Sequence, residues 1–213
     1  MNAQDPRTTE TGTRERILQA AFQLFHEQGY HATGVATILR EAGVNPGSLY
    51  HAFSSKDGLL LGVLEYALRL LRPAVIAPVE AQERDPIERV FALLARYRSG
   101  MTENRCRMGC PIGNLALEVS DDHPEARALI HRNFENWTAQ VRAWLDAAGD
   151  RLPRDCDRGR LARFILTVME GGLMQARAAG DLQPFDDGVA VLRAHFDALQ
   201  QVAASERGHS AEK

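Results

Sequence analysis

Cys110, in the run Gly109-Cys110-Pro111-Ile112-Gly113-Asn114-Leu115, is the residue best placed for covalent chemistry. Pro111 suits the first position of a helix, where a missing N–H costs nothing, so Cys110 falls at the N-cap. A thiol there feels the positive end of the helix, and Arg105 and Arg107 lie close in sequence. Both favour thiolate, the form that attacks electrophiles, which makes Cys110 a candidate sensor thiol. The same residue can also be a small buried hydrophobe, because free cysteine is among the most buried residue types. A metal site is disfavoured: Cys106-x3-Cys110 with Cys156, His123 or His131 lacks the tight paired spacing of zinc ligands. A cysteine nucleophile served by a histidine base is a third possibility. Against it, the chain has no Gly-x-Ser-x-Gly, phosphate loop, His-Glu-x-x-His or βαβ pattern, so no catalytic residue, metal or cofactor is expected.

A second group of residues is suited to hydrogen bonding rather than covalent work. Asn45-Pro46 reads as the start of a brief helix, Pro46-Gly47-Ser48-Leu49-Tyr50-His51-Ala52-Phe53. Gly47 allows the backbone to approach a partner closely, while Ser48, Tyr50 and His51 project donors and acceptors. Leu49 and Phe53, four apart, form the buried edge. Just beyond, Ser54 or Ser55 caps another helix with Lys56 beside it, and a helix N-terminus plus a lysine suits a phosphate. The other histidines named here (His26, His31, His123, His131 and His195) read as surface or locally satisfied.

The elements that must hold these groups are helical throughout. Ile17, Ala20, Ala21, Leu24 and Phe25 recur at three- and four-residue steps, and Gly29 ends that helix. Thr33 is a candidate cap for a short helix bearing Val35, Ile38, Leu39 and Ala42, stopped by Gly43. Gly43-Val44-Asn45 then joins two helices with the turn length of a helix-turn-helix, whose second helix enters the major groove. Further apolar stripes run over Leu59–Leu71 (interrupted beyond by Pro73 and Pro78), Pro86–Met101, Glu125–Ala148, Arg158–Ala179 and Asp186–Val202. No alternating β-branched runs bounded by turns occur, so the expectation is an all-α fold of about nine helices.

Composition narrows the classes. The 213 residues are 45% hydrophobic and 25% charged with net charge −3, which excludes wholesale disorder and a generally basic coat. No apolar run reaches the roughly 18 residues of a membrane span, and the polar N-terminus is no secretory signal. The expectation is a soluble, cytoplasmic protein without a membrane partner, its three cysteines reduced.

The stretch Thr33–Leu59, with Ala42-Gly43-Val44, Gly47-Ser48-Leu49-Tyr50 and the series Tyr50, Phe53, Lys56, Leu59, resembles the TetR (tetracycline repressor) family of bacterial regulators. It departs from the family pattern at Gly34 and Ala52, which removes contact capacity. The Gly109–Leu115 segment is similar to a subgroup with a GC-x-x-GNL motif that includes repressors of electrophile and aldehyde detoxification. The resemblance implies a homodimer that binds a palindromic double-stranded operator and is released by a small molecule, an electrophile being one candidate. Thr33, Asn45, Gly47, Ser48, Tyr50, His51, Ser55 and Lys56 would face DNA. Residues 11–71 would form the DNA-binding domain with the helix-turn-helix at 34–53, and 72–206 a ligand-binding and dimerisation domain. Residues 1–10 and 207–213 would be flexible tails. The rival readings are a Cys110 enzyme and a helical adaptor that does not bind DNA.

In the larger domain Trp137 and Trp144, seven apart on one helix face, either line a ligand cavity with Phe134 and Met169 or belong to the core. Gly171-Gly172 sits in a helix where each glycine costs about 1 kcal/mol against alanine. That cost implies close helix approach. It falls either within the subunit or, as the resemblance implies, in an intersubunit four-helix bundle with Phe196.

Overall fold

A computed structural model describes residues 6–211, except for the side chains of residues 6–11, 48, 50 and 209–211. The described residues form ten α-helices and no strand, so the all-α expectation holds. In order these are α1 (Pro6–Gln28), α2 (Val35–Ala42), α3 (Gly47–Ala52), α4 (Lys56–Leu70), α5 (Ala77–Gln82), α6 (Pro86–Glu103), α7 (Pro111–Val119), α8 (Pro124–Ala147), α9 (Arg158–Ala179) and α10 (Gln183–Ala211). A π-helical stretch, Leu71–Ile76, links α4 to α5. Pro73 lies inside it: a residue without an N–H cannot continue the α ladder, and a wider turn absorbs the break.

Local signals set most of the boundaries. Gly29, Gly43 and Gly180 end α1, α2 and α9 with φ of +87°, +62° and +67°, the left-handed conformation glycine adopts most cheaply. Asp85 caps α6 by accepting from Ile87 N–H (2.8 Å) and Glu88 N–H (3.2 Å). Asp157 caps α9 through Arg160 N–H at 2.9 Å. The segments assigned to flexible tails are helical where they are described. Pro6 opens α1, a position where its missing N–H costs nothing, and α10 runs to Ala211. Residues 1–5 and 212–213 lie outside the described residues.

The chain divides into two compact units: residues to Leu70 together with Cys110–Asn133, and Leu71–Gly109 together with Phe134 onward. The first unit buries Ile17, Leu18, Phe25, Ile38, Leu49, Leu59, Leu60 and Leu64, and adds Leu115, Val119, Ala126 and Ile130 from α7 and α8. A boundary drawn at 71 therefore omits part of the unit that carries the helix-turn-helix. The Asn133 side chain confirms the join: it donates to Leu64 O at 3.1 Å from a buried position.

The second unit buries Ile87, Val90, Leu93, Leu94, Val141, Leu145, Ile165 and Met169. Gly172, expected either within the subunit or between subunits, packs within the chain. A Cβ there would meet Phe185 at 2.9 Å (Cδ2) and 3.2 Å (Cα), so the missing side chain lets α9 and α10 close on each other. Phe196 is likewise interior, fully buried with its ring 5.4 Å from that of Phe91. Gly171 meets nothing within 4 Å. The large apolar side chains left exposed on this helix pair are Phe164 (45% exposed), Met174, Val191 and Val202.

Candidate nucleic-acid interface

After Gly43 the chain leaves α2 with Gly43 N–H on Arg40 O (3.2 Å) and Val44 N–H on Leu39 O (3.1 Å). These bonds satisfy the last carbonyls of the helix and turn the chain sharply into α3. The six-residue α3 is anchored from beneath by Leu49 and Phe53, which are 1% and 6% exposed. Phe53 is extended at φ −146° and ends the helix, with its N–H on Leu49 O. Arg14 lies over the Phe53 ring at 4.9 Å, and Gly62 of α4 backs against the same ring. The outward side of α3 presents Gly47 and His51, both exposed, and a Cβ at Gly47 would meet nothing within 4 Å. Ser48 and Tyr50 lie in this helix; their side chains are outside the described residues.

Several expected contacts are placed differently. Thr33 is fully buried and does not face DNA. Its hydroxyl donates to Gly29 O (2.5 Å) and reaches Leu24 O (3.4 Å), stapling the chain back onto α1, while Gly34 takes the N-cap of α2. Asn45 is exposed but does not begin α3, whose N-cap position falls to Pro46. Ser55 is exposed and caps α4, accepting from Gly58 N–H at 3.0 Å. Lys56 turns inward: its ammonium donates to Tyr30 O at 2.7 Å and lies 4.2 Å from the Tyr30 ring centre. Burial holds its pKa below the ordinary lysine value, against the opposing pull of Glu118 and Asp57. Lys56 is thus an anchor rather than an outward phosphate clamp.

Behind the helix-turn-helix stands a polar cluster with no signal in the local sequence pattern. Glu118 of α7 accepts from Tyr30 N–H with one oxygen (2.8 Å) and from His31 N–H with the other (2.7 Å). The Tyr30 hydroxyl donates to Asp57, while His123 stands with Nδ1 4.0 Å from the same carboxylate and its ring 5.5 Å from Tyr30. Burial, then the Asp57 hydrogen bond, pushes the Tyr30 phenol far above its ordinary pKa, so it remains a donor. Only Tyr30, directly after the helix-ending Gly29, could have drawn attention from sequence; Glu118 is 88 positions away.

At the start of α7, Cys110 occupies the N-cap, as its place before Pro111 predicts. Its Sγ accepts from Gly113 N–H at 3.4 Å, and the residue is 8% exposed. Trp137 and Met169 are buried, and Phe134 is half-buried. The Trp144 indole donates to Glu80 at 3.0 Å, whereas the buried Trp137 indole N–H finds no acceptor among the described residues.

A short, glycine-led helix held out by two buried anchors after a tight turn defines a helix-turn-helix DNA-binding protein. Residues 17–63 match the family model for bacterial regulatory proteins of the tetR family, and residues 86–196 match that for the tetracyclin repressor-like C-terminal domain. The chain belongs to the TetR family of transcriptional regulators. It is 29% identical over 178 residues to the HTH-type transcriptional regulator YxaF of Bacillus subtilis, covering 83% of this chain and 91% of that one. To the HTH-type transcriptional repressor DhaR of Mycobacterium sp. it is 26% identical over 191 residues, covering 89% and 93%. A crystal structure of regulatory protein TetR from Rhodobacter sphaeroides superposes with a TM-score of 0.74 at 26% identity, covering 85% of this chain and 97% of that one. Among the described residues no helix is long and apolar enough to cross a membrane.

Proposed function

We propose that this protein is a ligand-responsive repressor that binds a palindromic operator as a homodimer in the cytoplasm and is released by a small molecule. The observation that carries this reading is the exposed, unobstructed tip of α3 at Gly47, backed by buried Leu49 and Phe53. The DNA-facing set is Asn45, Gly47, Ser48, Tyr50, His51 and Ser55, with Thr33 and Lys56 holding it from behind. Repression is supported by the kinship with DhaR. Dimerisation is supported by the exposed large apolar side chains of α9 and α10, Phe164, Met174, Val191 and Val202, since such residues in water favour a partner. The effector's place is read at Phe134, Trp137 and Met169. There the unpaired indole N–H of Trp137 favours a molecule with a hydrogen-bond acceptor.

A second reading concerns the stimulus. Cys110 at the N-terminus of α7, in a segment like that of the GC-x-x-GNL subgroup, favours an electrophile captured by its thiolate. Burial pushes the Cys156 thiol up, which disfavours its thiolate form.

The test begins with selection of duplexes from a random library by the wild-type protein, followed by mobility-shift titration. Gly47→Glu fits the free protein but blocks approach to a groove, so it should abolish the shift. Failure of wild type to enrich any duplex, or full binding by Gly47→Glu, would overturn the DNA-binding reading in favour of an adaptor. For the stimulus, N-ethylmaleimide should dissociate the wild-type complex but not that of Cys110→Ser. An equal response from both rejects the thiol sensor.

A further inference from the structure

The α1–α2 turn is held from three directions, and all three meet at Tyr30. Its N–H, with that of His31, is taken by the Glu118 carboxylate; its carbonyl accepts from Lys56 Nζ and from Thr33 N–H (3.2 Å); its hydroxyl donates to Asp57. Thr33 immediately precedes the helix-turn-helix, while Lys56 and Asp57 immediately follow it, so Tyr30 ties both ends of the motif to one point. Glu118 is the part of this knot that comes from a distant helix. Gly29 is shaped around it, because a Cβ there would lie 3.0 Å from both Glu118 oxygens. A carboxylate accepting two successive backbone N–H groups makes charge-assisted bonds, stronger than the neutral ones of an ordinary turn. The two N–H groups it takes lie just beyond the C-terminal end of α1.

We infer that Glu118 is a positioning residue for DNA recognition: its carboxylate fork on Tyr30 and His31 makes the placement of α2 and α3 depend on the position of α7. A shift of α7 that opens the fork frees the turn, and with it the reading helix, without unfolding either. The inference rests on the DNA-binding reading for its consequence but not for its geometry, and the two are tested separately.

The experiment uses the full chain and a duplex selected by the wild-type protein, at 20 °C, with the fold of each variant checked by circular dichroism. Glu118→Ala should bind that duplex at least tenfold more weakly. Glu118→Gln, which retains one acceptor oxygen, should fall between the two. Val119→Ala, fully buried one position along the same helix and with an apolar side chain that takes no part in the fork, serves as the stability control. It should lower the melting temperature at least as much as Glu118→Ala yet change affinity less than twofold. In parallel, hydrogen exchange at the Tyr30 and His31 amides should accelerate at least tenfold in Glu118→Ala, with the amides of α4 beyond its first turn unchanged. Affinity that tracks melting temperature across the three variants, or unaltered exchange at 30 and 31, would overturn the inference. If wild type enriches no duplex, the DNA-binding reading fails, and the exchange measurement alone decides whether Glu118 holds the turn.

Discussion

Replacing Gly62 by alanine tests how tightly the recognition helix is braced. The position lies in the middle of α4, where alanine is worth about 1 kcal/mol more than glycine on helix propensity alone. Here the added Cβ would stand 2.8 Å from Phe53 Cε1 and 3.2 Å from Leu18 Cδ2. Neither neighbour is a loose end. Phe53 is 6% exposed, lies under Arg14 and terminates α3, and Leu18 is fully buried. Forcing a methyl into such a site costs about 1–3 kcal/mol, so the net effect is a destabilisation of about 0–2 kcal/mol. Gly100→Ala in α6 isolates the propensity part, because a Cβ there meets nothing within 4 Å, and it should stabilise by up to about 1 kcal/mol. The two variants should therefore melt about 2–12 °C apart by circular dichroism, with Gly62→Ala the lower. Since the ring that must give way ends the recognition helix, Gly62→Ala should also bind a selected duplex more weakly. Equal melting temperatures for the two would mean that Phe53 yields freely and does not brace α3.

Three other outcomes follow from the charges and faces described above. Burial raises the pKa of Asp85, but the hydrogen bond from Arg151 and those from the Glu88 and Ile87 amides outweigh it and leave the carboxyl below the ordinary value. A depressed folded pKa gives stability that is complete above the unfolded value of about 3.9 and lost as pH falls through the folded one. Urea midpoints measured from pH 5 to pH 2 should therefore drop less steeply in Asp85→Asn than in wild type, and parallel curves would count against the pair. Residues 1–60 hold Arg7, Arg14, Arg16, Arg40 and Lys56 against six acidic residues, and among the described side chains only Arg16 and Arg40 are exposed cations. In the proposed homodimer two such heads neutralise about four phosphates, so log K against log salt should slope at about −4; a value beyond about −7 would reveal cations not accounted for. Finally, Phe164→Glu with Val191→Glu should convert a dimer into monomers by sedimentation while leaving the helical signal intact; an unchanged mass would place the interface elsewhere.

What could be read in the sequence was local. Helix ends announced by Gly29 and Gly43, the Cys110–Pro111 start of α7 and the Ser55 cap of α4 depend on residues within four positions of one another. The misplacements have a common origin in partners far along the chain or one residue aside. Thr33 had the chemistry of a cap, but a better acceptor, Gly29 O, lay behind it. Lys56 had the position of a phosphate clamp, yet the Tyr30 carbonyl and ring were nearer. Periodicity shows that α10 has an apolar stripe but not what covers it. Phe196 proved interior, and the open face fell to Val191 and Val202. Gly171 and Gly172 are indistinguishable in sequence and opposite in space, one beside nothing and the other against Phe185.

The same distance effect bears on where the DNA-binding unit ends. A segment stopping at Leu70 contains the whole helix-turn-helix, and by family resemblance alone it would pass for a domain. In this chain it lacks the Glu118 fork on the α1–α2 turn, the Asn133 bond to Leu64 O, and the buried Leu115, Val119, Ala126 and Ile130. Segments of about 60 residues bury only about 60% of their unfolded surface and are marginal even when complete. Without those four side chains, Leu115, Val119 and Ile130 each worth roughly 1.5–3 kcal/mol of burial and Ala126 less, little stability remains. Residues 1–70 expressed alone should show partial helicity without a cooperative melt. A fragment in which residues 110–133 are rejoined through a flexible linker should recover cooperativity. If the short fragment melts as sharply as the full chain, α7 is an accessory to the reading head, and the control assigned to Glu118 has no structural basis.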